Sequence, residues 1–280
     1  MQLRIATCRP LPEPDVDEGP LLEALAAAGI DAQCCPWHDA ELWLSQTPTI
    51  VRSTWDYIHR LDEFRTWMTQ VAASTSLWNP AVIMQENLHK RYLLDLAARG
   101  IPTVPTRCVE RGSRQQLLEI ARGLGTTRVV IKPAVGAGSF ETHRLDVGHP
   151  ESEQIFRRLV DVRDMLVQPY LPSVEDHGER ALVWIDGAFT HAVRKSPRFA
   201  ADAEQVSEAL DISAEERAVG EAALARWNRQ LLYARVDVAP DLEGRAVVME
   251  LELIEPSLFL LQYPPALERL VAGIRTRLAK

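Results

Sequence analysis

The residues whose types and spacing speak most directly of chemistry are Arg235, Asp237, Glu250 and Glu252, within the stretch YARVDVAPDLEGRAVVMELELIEP from Tyr233 to Pro256. Two runs rich in Val, Leu and Met, Tyr233 to Val238 and Ala246 to Ile254, flank the turn composition Asp241-Leu-Glu-Gly244, so the stretch reads as a β-hairpin. Side chains alternate along a strand, which puts Arg235 on one face with Asp237, and Glu250 on one face with Glu252. If the turn pairs odd-numbered residues with even-numbered ones, all four line a single sheet face. Carboxylates gathered there repel one another, and a divalent cation turns the repulsion into binding. Oxygen-only ligands select Mg²⁺ or Mn²⁺, with Ca²⁺ a poorer fit. The competing reading is a solvent-facing hairpin with ordinary surface acids.

Upstream stand groups that suit phosphates. Arg128-Val-Val-Ile-Lys132-Pro133 reads as a buried strand ending in a lysine, followed by Ala-Val-Gly136-Ala-Gly138-Ser139. A glycine-rich loop brings backbone N–H groups close to phosphate oxygens, and a lysine neutralises them. An ordinary strand-to-loop exit has the same composition. The run is not a P-loop, since G-x-x-x-x-G-K-[ST] is absent, and no G-x-G-x-x-G follows the first strand, so a dinucleotide site is not supported. Met165-Leu-Val-Gln168-Pro-Tyr170-Leu171-Pro172 is a second apolar strand whose proline-stiffened end leaves backbone groups free to read a purine edge. Of the acids that follow, Glu175, Asp176 and Glu179, one can accept hydrogen bonds from a ribose; the alternative is a solvated acidic loop. Arg180 to Ile185 and Ala188 to Lys195 form a hairpin across Asp186-Gly187. That hairpin gathers Arg180, Arg194 and Lys195 as an anion site or a salt-bridged surface. His191 in it reads as a packed histidine rather than a catalytic base.

Positioning these groups requires several elements. Leu3 to Thr7, the helix LLEALAAAGI and Ile30 to Cys35 give strand, helix, strand, and therefore a parallel sheet. Thr49 to Arg52 continues it into Ser53-Thr54-Trp55-Asp56-Tyr57, at the strand end where ligands of open α/β sheets gather. There Arg52 can clamp a substrate carboxylate, or else pair with Asp56 over a core of Trp55 and Tyr57. Further helices are expected over Leu61 to Ala73, from Lys90 to Gly100, over Ser113 to Arg122 and over Ala214 to Gln230. The 280-residue chain is long enough for two or three subdomains, and its net charge of −8 argues against a generally basic nucleic-acid binder. Cys8, Cys34, Cys35 and Cys108 lack metal-binding spacing and read as reduced thiols. No signal-peptide core or membrane-length apolar run is present, so a cytoplasmic protein without membrane or nucleic-acid partners is expected.

The order of these motifs resembles the ATP-grasp superfamily on its glutathione synthetase-like side, over Thr49 to Pro256. Within it, VRSTWDY, LWNP, ENLHKRYLLDL, VPT, IKPAVGAGS and ELELIEPSLF resemble the cyclo-ligases of cycloserine biosynthesis, the O-ureido-D-serine cyclo-ligase type. The resemblance implies an α/β and α+β ATP-grasp fold. Its units would be an N-terminal parallel-sheet domain on the substrate side (residues 1–85), a central subdomain (86–169) and a C-terminal subdomain with the metal-binding hairpin (170–280). It implies an ATP-dependent ligase that activates a small-molecule carboxylate as an acyl-phosphate for a nitrogen nucleophile, within one molecule or between two, with ATP and two Mg²⁺ ions (Mn²⁺ as a substitute) and a homodimer as the assembly. Carried over by residue, Lys90 and Lys132 contact ATP phosphates while the loop with Gly136, Gly138 and Ser139 closes over them. Gln168, Tyr170 and Leu171 frame the adenine, Glu175 or Glu179 meets the ribose, and Arg180 and Arg194 face the γ-phosphate. Arg235 stabilises the transferred phosphoryl group, and Asp237, Glu250 and Glu252 hold the metals. Arg52, Ser53, Thr54 and Asp56 are the expected substrate residues. Catalysis by Arg235, Arg194 and Lys132 would rest on alignment and charge neutralisation, not on a nucleophilic side chain.

Two departures from the family pattern stand out. Glu252 occupies a position where many relatives carry Asn, and the segment from Ser196 to Leu210 has no glycine where relatives tend to carry a pair. Two other functions compete: a non-catalytic ATP-binding regulatory protein, and a metal-dependent hydrolase using the carboxylate hairpin.

Overall fold

Leu3, Ile5, Ile50 and Leu77 are buried strand residues of a parallel sheet with β1 (Gln2–Thr7) at its centre. The computed structural model describes residues 1–43, 46–196 and 205–279. In this first sheet β2 (Asp31–Pro36), β1, β3 (Thr49–Val51) and β4 (Leu77–Trp78) lie side by side in that order, all parallel. The crossover helix α1 (Glu18–Ala27) is followed by Gly29 at φ +74°, a left-handed position that glycine adopts without strain. Helix α2 (Leu61–Ser74) buries Phe64, Trp67, Met68 and Val71, the spacing that makes one stripe of a 3.6-residue helix.

Two short helices, α3 (Ala81–Asn87) and α4 (Tyr92–Ala98), lead to the second sheet. The break expected at Trp78-Asn-Pro80 is where α3 begins, with Pro80 in an extended conformation as its N-cap. The second sheet is antiparallel and runs β5 (Arg107–Val109), β8 (Met165–Pro169), β6 (Arg128–Pro133), β7 (His143–Asp146). Helices α5 (Leu117–Gly123) and α6 (Pro150–Val160) cover one face through Leu117, Ile120, Phe156 and Leu159.

After a single turn, α7 (Ser173–Asp176), the third sheet is again antiparallel. Its order is β10 (Ala188–Lys195), β9 (Glu179–Ile185), β11 (Tyr233–Pro240), β12 (Ala246–Glu252). Asp186 (φ 42°) and Gly187 (φ 94°) form the tight β9–β10 turn that their pairing on the sequence predicts. Leu182, Trp184, Val236 and Val248 pack on one face beneath α8 (Ala214–Leu224). That helix starts in a Ser213/Glu216 capping box. Ala181, Val183 and Tyr233 pack on the other face, with α9 (Pro264–Leu278) and residues of the first sheet. Of the segment from Ser196 to Leu210, residues 197–204 lie outside the described residues, so its glycine-free departure has no structural account here.

A single irregularity decides what the third sheet presents. Leaving the turn, Pro240 pairs with Ala246, Ala239 with Val247 and Val238 with Val248, so even faces even and odd faces odd. Continued regularly, that register would set Asp237 opposite Met249 and send Glu250 and Glu252 to the α8 side. A β-bulge intervenes: the next pairs are Asp237 with Glu250 and Arg235 with Glu252, leaving Met249 as the extra residue. The bulge therefore supplies the odd-with-even parity that the charge cluster requires.

The chain beyond β12 is held against the first sheet by buried side chains. Asn79 donates to the carbonyls of Tyr233 and Leu253 (both 2.8 Å) and accepts from the Leu232 and Tyr233 amides. Asn87 donates to Leu251 O and accepts from Leu253 N, while the Tyr92 hydroxyl accepts from Leu251 N. The Tyr233 hydroxyl donates to Val51 O and lies 3.0 Å from Ile254 O. Each bond satisfies a backbone group that a strand end or the outer edge of β12 leaves open, so the site hairpin is fixed to the N-terminal wall.

Candidate active site

A cavity of about 860 Å³ lies between the second and third sheets and is walled on one side by Trp55–His59 and Pro10–Glu13 of the N-terminal part. The end of β6 brings in Lys132, β8 brings Gln168, and β10 brings Lys195. Arg235 and Asp237 enter from β11, and Glu250 and Glu252 from β12.

The charged groups of this cavity interlock. Lys90 Nζ lies 2.7 Å from Glu250 Oε1, and Lys132 Nζ lies 3.2 Å from Glu250 Oε2. The Arg235 guanidinium is bidentate on Asp237, with Nε to Oδ1 at 2.8 Å and Nη2 to Oδ2 at 2.9 Å, and it also pairs with Glu252. Lys195 Nζ bridges Asp237 (2.6 Å) and Glu179 (3.2 Å). Burial disfavours every one of these charges, so the pairing decides which persist. Burial works against Glu250, yet Lys90 and Lys132 hold it down at about 2. Asp237 is likewise kept ionised, well below the usual carboxylate range, because Arg235 and Lys195 outweigh its burial. Burial pushes Glu179 up to about 7 against the pull of Lys195, and it raises Glu252 as well.

Among the described residues no three His, Cys, Asp or Glu groups converge as a ready metal site. The reason is visible in the pairing: each acid of the hairpin is turned onto a lysine or arginine. The donor set still fits a hard divalent cation, since it offers carboxylate oxygens only, on one sheet face and inside a cavity. Phosphates would supply the lysines with replacement anions and free Glu250 for a metal.

Next to the charged end lies an apolar slot. Val130, Leu171, Val174, Met249 and Leu251 line it, with the Tyr170 ring beside them and the Gln168 amide donating to Thr106 Oγ1 at 3.0 Å. A flat aromatic base suits such a slot. The loop with Gly136, Gly138 and Ser139 also faces the cavity; Gly138 (φ 57°) and Ser139 (φ 61°) are left-handed, and the Gly136 carbonyl accepts from Lys90 Nζ at 2.6 Å. Beyond it, the Phe140 ring meets His59 edge-on at 5.3 Å.

Several expected site residues are placed elsewhere. Arg194 and Arg180 are cross-strand partners on the α8 side of the sheet, opposite to Asp237; Arg180 is bound to Glu216 at 2.9 Å, and Arg194 is exposed. Strand alternation puts Lys195 and Glu179 in the cavity instead. Glu175 pairs with Arg144 and is not among the cavity-lining residues, whereas Glu179 lines the cavity and pairs with Lys195. Arg52 is only 3% exposed: it donates to Pro256 O at 2.8 Å and faces Asp17, not Asp56, so it anchors the chain after β12 and is not among the cavity-lining residues. Ser53 bonds Thr7, and both Ser53 and Thr54 are buried away from the cavity, whereas Asp56 lines it and accepts from Trp37 Nε1 at 2.6 Å. Tyr57 and Glu255 are cavity residues with no site role in the sequence reading, and of the anion-site candidates Arg180, Arg194 and Lys195 only Lys195 lines the cavity. For Lys195 the signal was present, since it shares a strand face with His191 rather than with Arg194. His191 is buried and stacked on Tyr263, as a packed histidine.

Comparisons with known proteins agree with this architecture. Residues 3–79 match the family model for the N-terminal domain of D-cycloserine synthetase DcsG. The cycloserine biosynthesis protein DcsG of Streptomyces lavendulae is 34% identical over 264 residues, covering 87% of this chain and 88% of that protein. The crystal structure of D-cycloserine synthetase DcsG superposes with a TM-score of 0.88 at 31% identity, covering 99% of this chain and 100% of that one. The ATP-grasp ligase PsnB, solved with its minimal precursor, Mg and ADP, shares the fold at a TM-score of 0.64 and 18% identity, over 97% of this chain and 96% of that one. The chain belongs to the ATP-grasp superfamily of ATP-dependent ligases and, within it, to the family of the cycloserine biosynthesis protein DcsG.

Proposed function

We propose that this ATP-dependent carbon–nitrogen ligase activates the carboxylate of a small amino-acid derivative as an acyl-phosphate and joins it to a nitrogen, in the manner of an O-ureido-D-serine cyclo-ligase. The observation that carries the reading is the interlocked set of Lys90, Lys132, Lys195 and Arg235 with Asp237, Glu250 and Glu252, all facing one cavity beside an apolar slot. The apolar slot takes the adenine, framed by Tyr170 and Leu171, and Lys90, Lys132 and the loop from Gly136 to Ser139 meet the phosphates. Asp237, Glu250 and Glu252 are the residues to hold Mg²⁺, as two ions with Mn²⁺ as a substitute; bound there, the metal neutralises phosphate charge and aligns the transferred group. The PsnB complex holds Mg and ADP in the same fold, which supports this pair of ligands.

In the chemistry, a carboxylate oxygen attacks the γ-phosphorus and the bond to ADP breaks. The nitrogen then attacks the carbonyl carbon, phosphate leaves, and the nitrogen gives up a proton. Arg235 is rigidly held by Asp237 and faces the charge that develops on the phosphoryl oxygens. Lys195, fixed between Asp237 and Glu179, takes the place at the phosphoryl end that the sequence had given to Arg194 and Arg180.

The test is Mg²⁺-dependent release of ADP and phosphate on adding O-ureido-D-serine, with hydroxylamine trapping of the activated carboxylate as a hydroxamate. Failure of O-ureido-D-serine and a panel of amino acids to yield ADP from ATP-bound enzyme would sink the ligase mechanism proposed here.

A further inference from the structure

Glu255 differs from the other acids of the cavity. Asp237, Glu250, Glu252 and Glu179 each rest on a lysine or arginine. Among the described residues Glu255 forms no such pair, although it is only 9% exposed and lines the cavity. Its carboxylate lies beside the Tyr57 hydroxyl, which favours its ionised form, and its backbone is fixed because Trp55 Nε1 donates to its carbonyl at 3.2 Å. Tyr57 itself is packed, 4% exposed and stacked on Phe64 at 4.8 Å.

Asp56 lines the same cavity, and Arg52 is turned away onto Pro256 O and Asp17. A buried carboxylate outside any ion pair is a costly arrangement, and a bound cation in contact with it would offset that cost. Burial and the neighbouring Glu252 push Glu255 up to about 8, the direction expected of an acid that lacks such a partner.

We propose that Glu255, positioned by Tyr57, binds the α-ammonium group of an amino-acid substrate and makes this enzyme select ammonium-bearing carboxylates over their des-amino counterparts. The location suits an α-amino group in particular. Glu255 feels the charges of both Lys90 and Glu252, so it stands beside the centre where the carboxylate is activated. An α-ammonium stays one carbon away from its carboxylate, whereas one at the end of a longer side chain is not held near the activated group. The assignment rests on the ligase reading above, because that reading places the substrate carboxylate near Arg235.

The experiment compares O-ureido-D-serine with 3-(ureidooxy)propanoate, which lacks only the α-amino group. Binding to enzyme loaded with Mg²⁺ and AMPPNP is measured by calorimetry, and ADP release with ATP is measured separately. The ammonium-bearing compound is expected to bind about 10- to 100-fold more tightly, the size of a charge-assisted contact. Glu255→Gln should remove most of that preference while AMPPNP affinity stays within twofold, and Tyr57→Phe should reduce it in part. Equal binding of the two compounds to the native enzyme, no binding of the ammonium-bearing compound, or a preference that persists in Glu255→Gln overturns the proposal. A preference that needs Glu255, seen without ADP release from either compound, supports the subsite and contradicts the ligase reading.

Discussion

Removing Lys90 tests whether the cations of the cavity are held by the acids before any nucleotide arrives. Lys90 is 7% exposed, and its ammonium lies 2.7 Å from Glu250 and 2.6 Å from Gly136 O. Lys90→Met keeps the aliphatic stem and deletes the charge, leaving Glu250 with Lys132 at 3.2 Å. Breaking a buried pair costs about 3–5 kcal/mol when one partner is stranded. Because Lys132 remains, the loss should fall at or just below the lower end, about 2–3 kcal/mol. In a chain of this size that lowers Tm by about 4–10 °C. Glu250→Gln alone strands two ammonium groups and should destabilise comparably. The double variant removes both charges together and should recover about 2 kcal/mol relative to the sum of the singles. Urea unfolding at pH 7 without nucleotide measures all three. Additive losses, or a Lys90→Met protein as stable as the native one, would refute the pairing as a stabilising contact.

Other consequences follow from the same geometry. Lys195→Met should lower turnover about 10²- to 10³-fold, whereas Arg194→Ala on the opposite sheet face should leave it within about threefold; steady-state ADP release compares them, and equal losses would contradict the assignment of faces. His191 is held down at about 4 by burial, against an ordinary value of 6.5, so its share of stability is complete above pH 6.5 and is lost as pH falls towards 4. That share amounts to about 3 kcal/mol, and His191→Gln should flatten the acid limb of a stability–pH curve over that window. Asn79→Ala strands buried carbonyls and amides of Leu232, Tyr233 and Leu253 and should cost about 3 kcal/mol in urea unfolding, with any folded enzyme keeping its affinity for ATP within a fewfold.

Much of this molecule was legible in the residues. The parallel first sheet, the apolar strands β6 and β8, the Asp186-Gly187 turn and the β11–β12 hairpin all follow from period-two patterns and turn chemistry. The short strands β5 and β7, reading RCV and HRLD, carry no alternation strong enough to announce themselves; they form because neighbours in the sheet offer hydrogen bonds. The parity of the carboxylate hairpin could be posed from the sequence but not decided, since it depends on the bulge at Met249. Arg52 illustrates a different limit. An arginine at a strand end suits an anion site, but its partners, Asp17 and Pro256 O, come from segments distant in sequence, and those contacts exist only in the folded chain. Arg194 is the opposite case: alternation from His191 through Val193 to Lys195 already separates it from the cavity face.

The central claim, that a carboxylate is activated by phosphoryl transfer in this cavity, is tested most directly by isotope. O-Ureido-D-serine labelled with ¹⁸O in its carboxylate is incubated with enzyme, ATP and Mg²⁺, and the inorganic phosphate is analysed by mass spectrometry. An acyl-phosphate route carries one labelled oxygen into phosphate at each turnover. Unlabelled phosphate with ongoing product formation would contradict it.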